Sequence, residues 1–165
     1  MTSTYVPAIA LTRKVVAMLR ADATLSDGST GLLYAIETMV DANDYRVWSV
    51  DTQFPSDPNV ILRWPRIMVE AVGGANNYEQ DDPDVLVGPV RLSLHTVAPK
   101  DQEELAERID AYLNRLVLST WLSDARIITA RLVLSAERRK VRVPVLNGAW
   151  QITSGFSTPN VGSLA

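Results

Sequence analysis

The chain has one histidine and no cysteine, and those two counts decide much of the chemistry open to it. His95 shares an alternating segment with Arg91 and Ser93, and a serine nucleophile would need this one imidazole as its base. Neither a nucleophile elbow nor a glycine-rich oxyanion loop accompanies the pair, so a solvent-facing or interface histidine fits better than a catalytic one. A histidine-rich metal site within one chain is excluded, as is a cysteine-based zinc site. Glu79, Asp81, Asp82 and Asp84 crowd one segment, but their spacing lacks the alternating ligands and closing glutamate of an EF-hand loop. Gly28 and Gly73-Gly74 lack the spacing of a phosphate or dinucleotide loop. Glu103, Glu104 and Glu107 suit helix capping and solvation better than acid–base work, which needs a desolvated cleft. The expectation is a chain that is not an enzyme and holds no metal and no cofactor.

These residues need a frame. Val90, Leu92, Leu94 and Thr96 fall on one face of a strand and Arg91, Ser93 and His95 on the other, the period-two pattern of a half-buried antiparallel strand. Pro99 ends it. From Asp101 onward Leu105, Ile109, Tyr112, Leu113, Leu116, Val117 and Trp121 recur at helical spacing, leaving Glu103, Glu107, Arg108, Asp110 and Arg115 to the solvent. Asp101 and Glu104 have the spacing of a capping box. Ile128, Ala130, Leu132 and Leu134 alternate as a second strand and Trp150, Ile152, Ser154 and Phe156 as a third, with Asn147-Gly148 as a hairpin signal between them. Val141, Val143 and Val145 continue the alternation, but Pro144 confines that stretch to an edge or a loop.

Upstream, a first helix starts near Pro7 and turns Ile9, Val15, Val16, Met18 and Leu19 inward. Leu32 to Val40 reads as a short extra helix with Leu32, Leu33, Ile36, Met39 and Val40 as its apolar set. Tyr45 to Val50 alternates like a short strand. The fold class is therefore α+β: a single domain over residues 1–165, with a mainly antiparallel sheet packed against two main helices, Pro7 to Ala21 and Asp101 to Leu122.

Two segments carry weaker core signals. Residues 26–63 form a long connection, and the stretch Phe54 to Trp64 reads as an ordered connection or arm whose Phe54, Ile61 and Trp64 either lie on the domain or reach a neighbouring subunit. Residues 73–84, with Asn76-Asn77 and Asp81-Asp82-Pro83-Asp84, have too little apolar content to pack alone and read as a flexible acidic loop. The net charge of −3 is unevenly spread, because Arg126, Arg131, Arg138, Arg139, Lys140 and Arg142 crowd the last third. Solvated surface accounts for both clusters. So does a ring in which head-to-tail neighbours set one against the other, since a heterologous interface need not match itself. On that reading Asn76, Asn77, Tyr78, Glu79, Asp81 and Asp82 of one copy and Arg138, Arg139, Lys140 and Arg142 of the next are the candidate interface residues. The arginines are not interleaved with exposed aromatics, and no helix-turn-helix or zinc-finger spacing is present, so specific DNA binding is not expected.

At 165 residues the chain fits one domain of ordinary size, with 47% hydrophobic and 21% charged residues as in ordinary globular proteins. The absence of cysteine rules out a disulfide framework and suits a cytosolic or virion setting at least as well as a secreted one. Residues 1–7 lack a basic region followed by an apolar run, and no apolar stretch approaches the roughly 20 residues that span a bilayer. A soluble, unprocessed protein with no membrane partner is expected.

The order of strand, helix, strand, hairpin and strand resembles the tail terminator, or tail completion, proteins of long-tailed bacteriophages. The resemblance rests on the opening helix from Ala10 to Asp22, the proline-led strand Trp64-Pro65-Arg66-Ile67-Met68-Val69-Glu70, the block from Val90 to His95 through the Asp101 helix, and the closing Asn147-Gly148-Ala149-Trp150-Gln151-Ile152. It covers most of the chain, although residues 26–63 are longer than the short loop such proteins place between first helix and first strand. The resemblance implies a structural virion protein, at the neck end of the tail and in the host cytoplasm during assembly. Its copies would close into a homo-hexameric ring that stops tail-tube polymerisation and presents the surface for head joining. The implied partners are further copies of the chain, the tail tube protein and a head-tail connector or stopper, with DNA passing through the channel without specific binding. Another connector or stopper protein of the neck is the nearest alternative. A small α+β enzyme or ligand-binding module built around His95 and Arg91 is the other.

Overall fold

Leu92, Leu94 and Thr96 are buried while Arg91 is exposed, so the strand that carries them lays one face on the core. The computed structural model describes residues 8–49, 63–71, 91–122, 130–131 and 133–157. The candidate interface residues Asn76, Asn77, Tyr78, Glu79, Asp81 and Asp82, the connection residues Phe54 and Ile61, and the strand residues Ile128 and Leu132 lie outside them. In chain order the elements are α1 (Ala8–Ala21), α2 (Ala23–Ser26), β1 (Val47–Ser49), β2 (Arg66–Ala71), β3 (Arg91–Ala98), α3 (Glu103–Ser119), β4 (Trp121–Leu122), β5 (Ala130–Arg131), β6 (Val133–Val143) and β7 (Ala149–Ser157). Five strands form one sheet in the order β1-β2-β3-β7-β6, and β4 pairs with β5 apart from it. Within the large sheet β1 runs parallel to β2 and the remaining neighbours are antiparallel.

Both main helices cover the same sheet face. Leu105, Ile109, Leu113 and Val117 recur every fourth residue of α3, and they share one buried cluster with Val15, Val16 and Leu19 of α1 and with Ile67, Val69, Leu92, Leu94 and Phe156 of the sheet. The register places these strand residues in line: Val69 lies opposite Leu94, and Leu92 opposite Phe156. The opposite face carries Glu70, Ser93, His95, Gln151 and Thr153. The α+β class, the inward stripe of both helices, the stop at Pro99 and the hairpin all follow the sequence pattern. Asn147 and Gly148 both take positive φ, 57° and 74°, as a tight reversal between β6 and β7 requires. Pro144 lies just beyond β6, where it opens a 3-10 turn, and β6 itself is an edge strand of the sheet.

Several local expectations are overturned. Leu32 to Val40 is not a helix: only Leu32–Tyr34 makes a 3-10 turn, and Ile36 and Val40 are 47% and 59% exposed. The backbone there is committed elsewhere, since the Met39 amide donates to the Gly28 carbonyl and the carbonyls of Leu33 and Thr38 accept from Arg46, which competes with the i to i+4 ladder. Asp101 does not cap α3. The Gln102 amide bonds the Pro99 carbonyl, the helix begins at Glu103 with Gln102 at its cap, and no side chain completes the capping box. The same helix stops at Ser119 rather than Leu122, where the hydroxyls of Ser119 and Thr120 both donate back to the Leu116 carbonyl and Thr120 turns extended. Trp121 and Leu122 then enter β4. Asp110, assigned to the solvent by its type, is 1% exposed.

Candidate functional site

The basic run of β6 is where charge, edge and helix meet. Lys140 and Arg142 lie opposite Ile152 and Trp150, on the helix side of the sheet, whereas Arg139 lies opposite Thr153 on the other. Simple alternation puts Arg138 with Lys140 and Arg142 on the helix side. The register slips just before this run, between Ala136 and Arg139, where β6 spends one residue more than β7. On the helix side Arg138 meets acidic residues of α3 at helical spacing. The Arg138 Nε donates to Asp110 at 2.7 Å and its Nη2 pairs with Glu107. The Lys140 Nζ lies 2.8 Å from Glu107 and also pairs with Glu103. Glu103, Glu107 and Asp110 sit at i, i+4 and i+7, one face of one helix, which is why a strand with cations every second residue can match them.

This ladder has distinct electrostatic consequences at its two ends. Lys140 and then Arg138 hold the Glu107 carboxyl below the usual range through hydrogen bonds. Burial pushes Asp110 up against the opposing pull of Arg138. Asp110 also accepts from the Ser154 hydroxyl at 3.1 Å and from the Asn114 amide at 3.3 Å, so its buried oxygens are well supplied with donors. Arg138 and Lys140 are thus occupied within their own chain. Arg139 and Arg142 are exposed and have no carboxylate partner among the described residues; the Arg142 guanidinium leans over Trp150 at 5.3 Å and donates to the Gly148 carbonyl at 3.4 Å.

A second polar node lies before β1. Arg46 is 1% exposed and donates to the carbonyls of Leu33 at 2.9 Å, Trp64 at 2.8 Å and Thr38 at 3.4 Å. Its guanidinium stacks on Tyr34 at 4.5 Å and lies 3.6 Å from buried Asp44, which also pairs with Arg63 at 3.1 Å. The Tyr34 hydroxyl donates to the Asp44 carbonyl. Burial, reinforced by the Asp44 charge, raises the Tyr34 pKa to about 12. Because that value lies above the unfolded one near 10, the stability this phenol contributes is fully present below pH 10 and is lost as pH rises toward 12. Tyr34 should resist ionisation in an ultraviolet titration of the native protein, and Tyr34→Phe should remove that late step.

His95 has its place on the open sheet face. Its Nε2 contacts Glu70 at 2.8 Å and its Nδ1 contacts Thr153 at 2.8 Å. Neither partner was visible from the sequence, because their approach depends on how β2 and β7 register against β3. Ser93 and Arg91 make no hydrogen bond to the ring, so the pair of Ser93 and His95 is not assembled. Among the described residues no cluster could hold a metal ion, and no helix is long and apolar enough to cross a membrane. A cleft of about 280 Å³ opens where β2 begins and the turn after β6 passes, lined by Trp64, Pro99, Leu146, Ala149 and the 89% exposed Val145, with Lys100 and Asp101.

A solved virion structure contains a chain of this fold. That structure is the virion of a native gene transfer agent (GTA) particle. The match has a TM-score of 0.57 at 15% identity and covers 96% of this chain and 98% of the virion chain. No protein-family model and no curated protein sequence matches this chain. At such identity the likeness to the GTA virion chain is one of fold, and it extends over nearly the full length of both chains.

Proposed function

We propose that this chain is a structural virion protein of a phage-like tail, one whose copies close into a ring that ends tail-tube growth and offers the surface for head joining. The observation that carries the proposal is the near end-to-end fold match with a GTA virion chain. The helix, strand and hairpin order that resembles tail terminators adds to it. The physical work would be done by interfaces rather than by turnover: one ring face complements the last tube ring, while the other differs from a tube subunit and offers no site for another. The proposed partners are further copies of the chain, a tail tube protein, and a connector or stopper. DNA would pass without specific contact. Polymerising the tube protein with sub-stoichiometric amounts of this chain tests the reading by electron microscopy. Tubes that stop short with a density at one end support it, and tubes of unchanged length with two identical ends would refute it.

A further inference from the structure

Ile36, Val40 and Val145 are the large hydrophobic residues left most exposed among the described residues, at 47%, 59% and 89%. They are not scattered. Ile36 and Val40 belong to the segment that leads into β1, one edge of the sheet, whereas Val145 follows β6, the other edge. The charges beside them differ in sign. Asp41 is exposed beside the first pair, as is Glu37, whose 49% exposed carboxylate also lies 3.8 Å from the buried Arg46 guanidinium. Ahead of Val145, along the last residues of β6, come Arg142 and Arg139, on opposite faces of this edge strand and neither paired with α3.

The two patches also lie at one end of the sheet. Val47 pairs with Ile67, Arg66 with Val97, Val97 with Gln151 and Gln151 with Val141, so β1 and β2 begin where β6 ends. Two patches on opposite edges, level with one another, apolar at the centre and opposite in charge, meet the requirement of a heterologous contact repeated about an axis parallel to the strands. An isologous contact between two β6 edges would instead set arginine against arginine.

We infer that the edge patch Ile36, Glu37, Val40 and Asp41 of one copy docks on the Arg139, Arg142 and Val145 flank of the next, with the neighbour's Val40 seated against Val145 at the mouth of the cleft. This deepens the ring reading and rests on it. Arg138 and Lys140, by contrast, serve the fold.

The chain has no cysteine, so engineered pairs report the contact directly. Oxidising V40C mixed with V145C should give a cross-linked dimer that neither variant forms alone, and V40C/V145C in one chain should give a ladder ending at the ring size. The pair R139E/R142E should weaken assembly at least tenfold, as should D41K, and combining the three should restore it. Self-linked V40C or V145C without a mixed product, or unchanged assembly after charge reversal while the wild type sediments as a ring, would overturn this contact and leave the ring standing. A wild type that stays monomeric with and without tube protein would overturn both.

Discussion

Replacing Arg46 by Met is expected to destabilise the protein by about 3 kcal/mol, the lower end of the range for removing one member of a buried ion pair. Three carbonyls lose their donor and Asp44 loses one of two cationic partners; Arg63 remains, which keeps the cost from the upper end. Arg46 also holds a φ of 49°, a left-handed conformation costing on the order of 1 kcal/mol for a residue with a Cβ. The guanidinium contacts and the Ile67 amide, which donates to the Arg46 carbonyl at 2.9 Å, over-determine it. Arg46→Lys should recover little, because a point charge cannot reach three carbonyls as a planar fork does. Urea unfolding checks this: a shift under about 1 kcal/mol for Arg46→Met, within the range of ordinary surface changes, would show that the node does not brace the segment before β1.

The second large effect is expected at Phe156, which is fully buried in β7 opposite Leu92 and within the cluster shared by both helices. Phe156→Ala removes most of an aromatic side chain from a site enclosed by sheet and helix, and should cost about 3–5 kcal/mol. Since the stripe of α3 rests on this cluster, the loss should appear as a single cooperative shift with unchanged denaturant slope. The contrast is Val145→Ala. At 89% exposure it should change stability by less than about 0.5 kcal/mol, so any effect it has on assembly can be read as an effect on the interface.

What could be read in advance divides along physical lines. Period-two alternation over Leu92, Leu94 and Thr96, the stop at Pro99, the stripe from Leu105 to Val117 and the Asn147-Gly148 reversal are local signals, and local interactions suffice to produce them. Arg46 and Asp110 were illegible for the opposite reason. Charged residues are read as surface by type, and only the chain reversal that brings Leu33, Thr38 and Trp64 around one guanidinium, or the packing that lays Arg138 of β6 against Asp110 of α3, makes their burial tolerable. The parallel pairing of β1 on β2 and the approach of Glu70 to His95 are likewise properties of register between distant segments. For the candidate interface, the basic run was visible as a run. Its division into Arg138 and Lys140 held by the helix, and Arg139 and Arg142 without a carboxylate partner among the described residues, needed the fold.

Ring closure is the central claim, and sedimentation equilibrium over a wide concentration range, alone and with tail tube protein, measures it most directly. The expected result is a closed species whose mass is a fixed multiple of 18.2 kDa, formed by the chain alone or on contact with tubes. A species of 18.2 kDa under every condition, with tubes sedimenting as though the chain were absent, would contradict it.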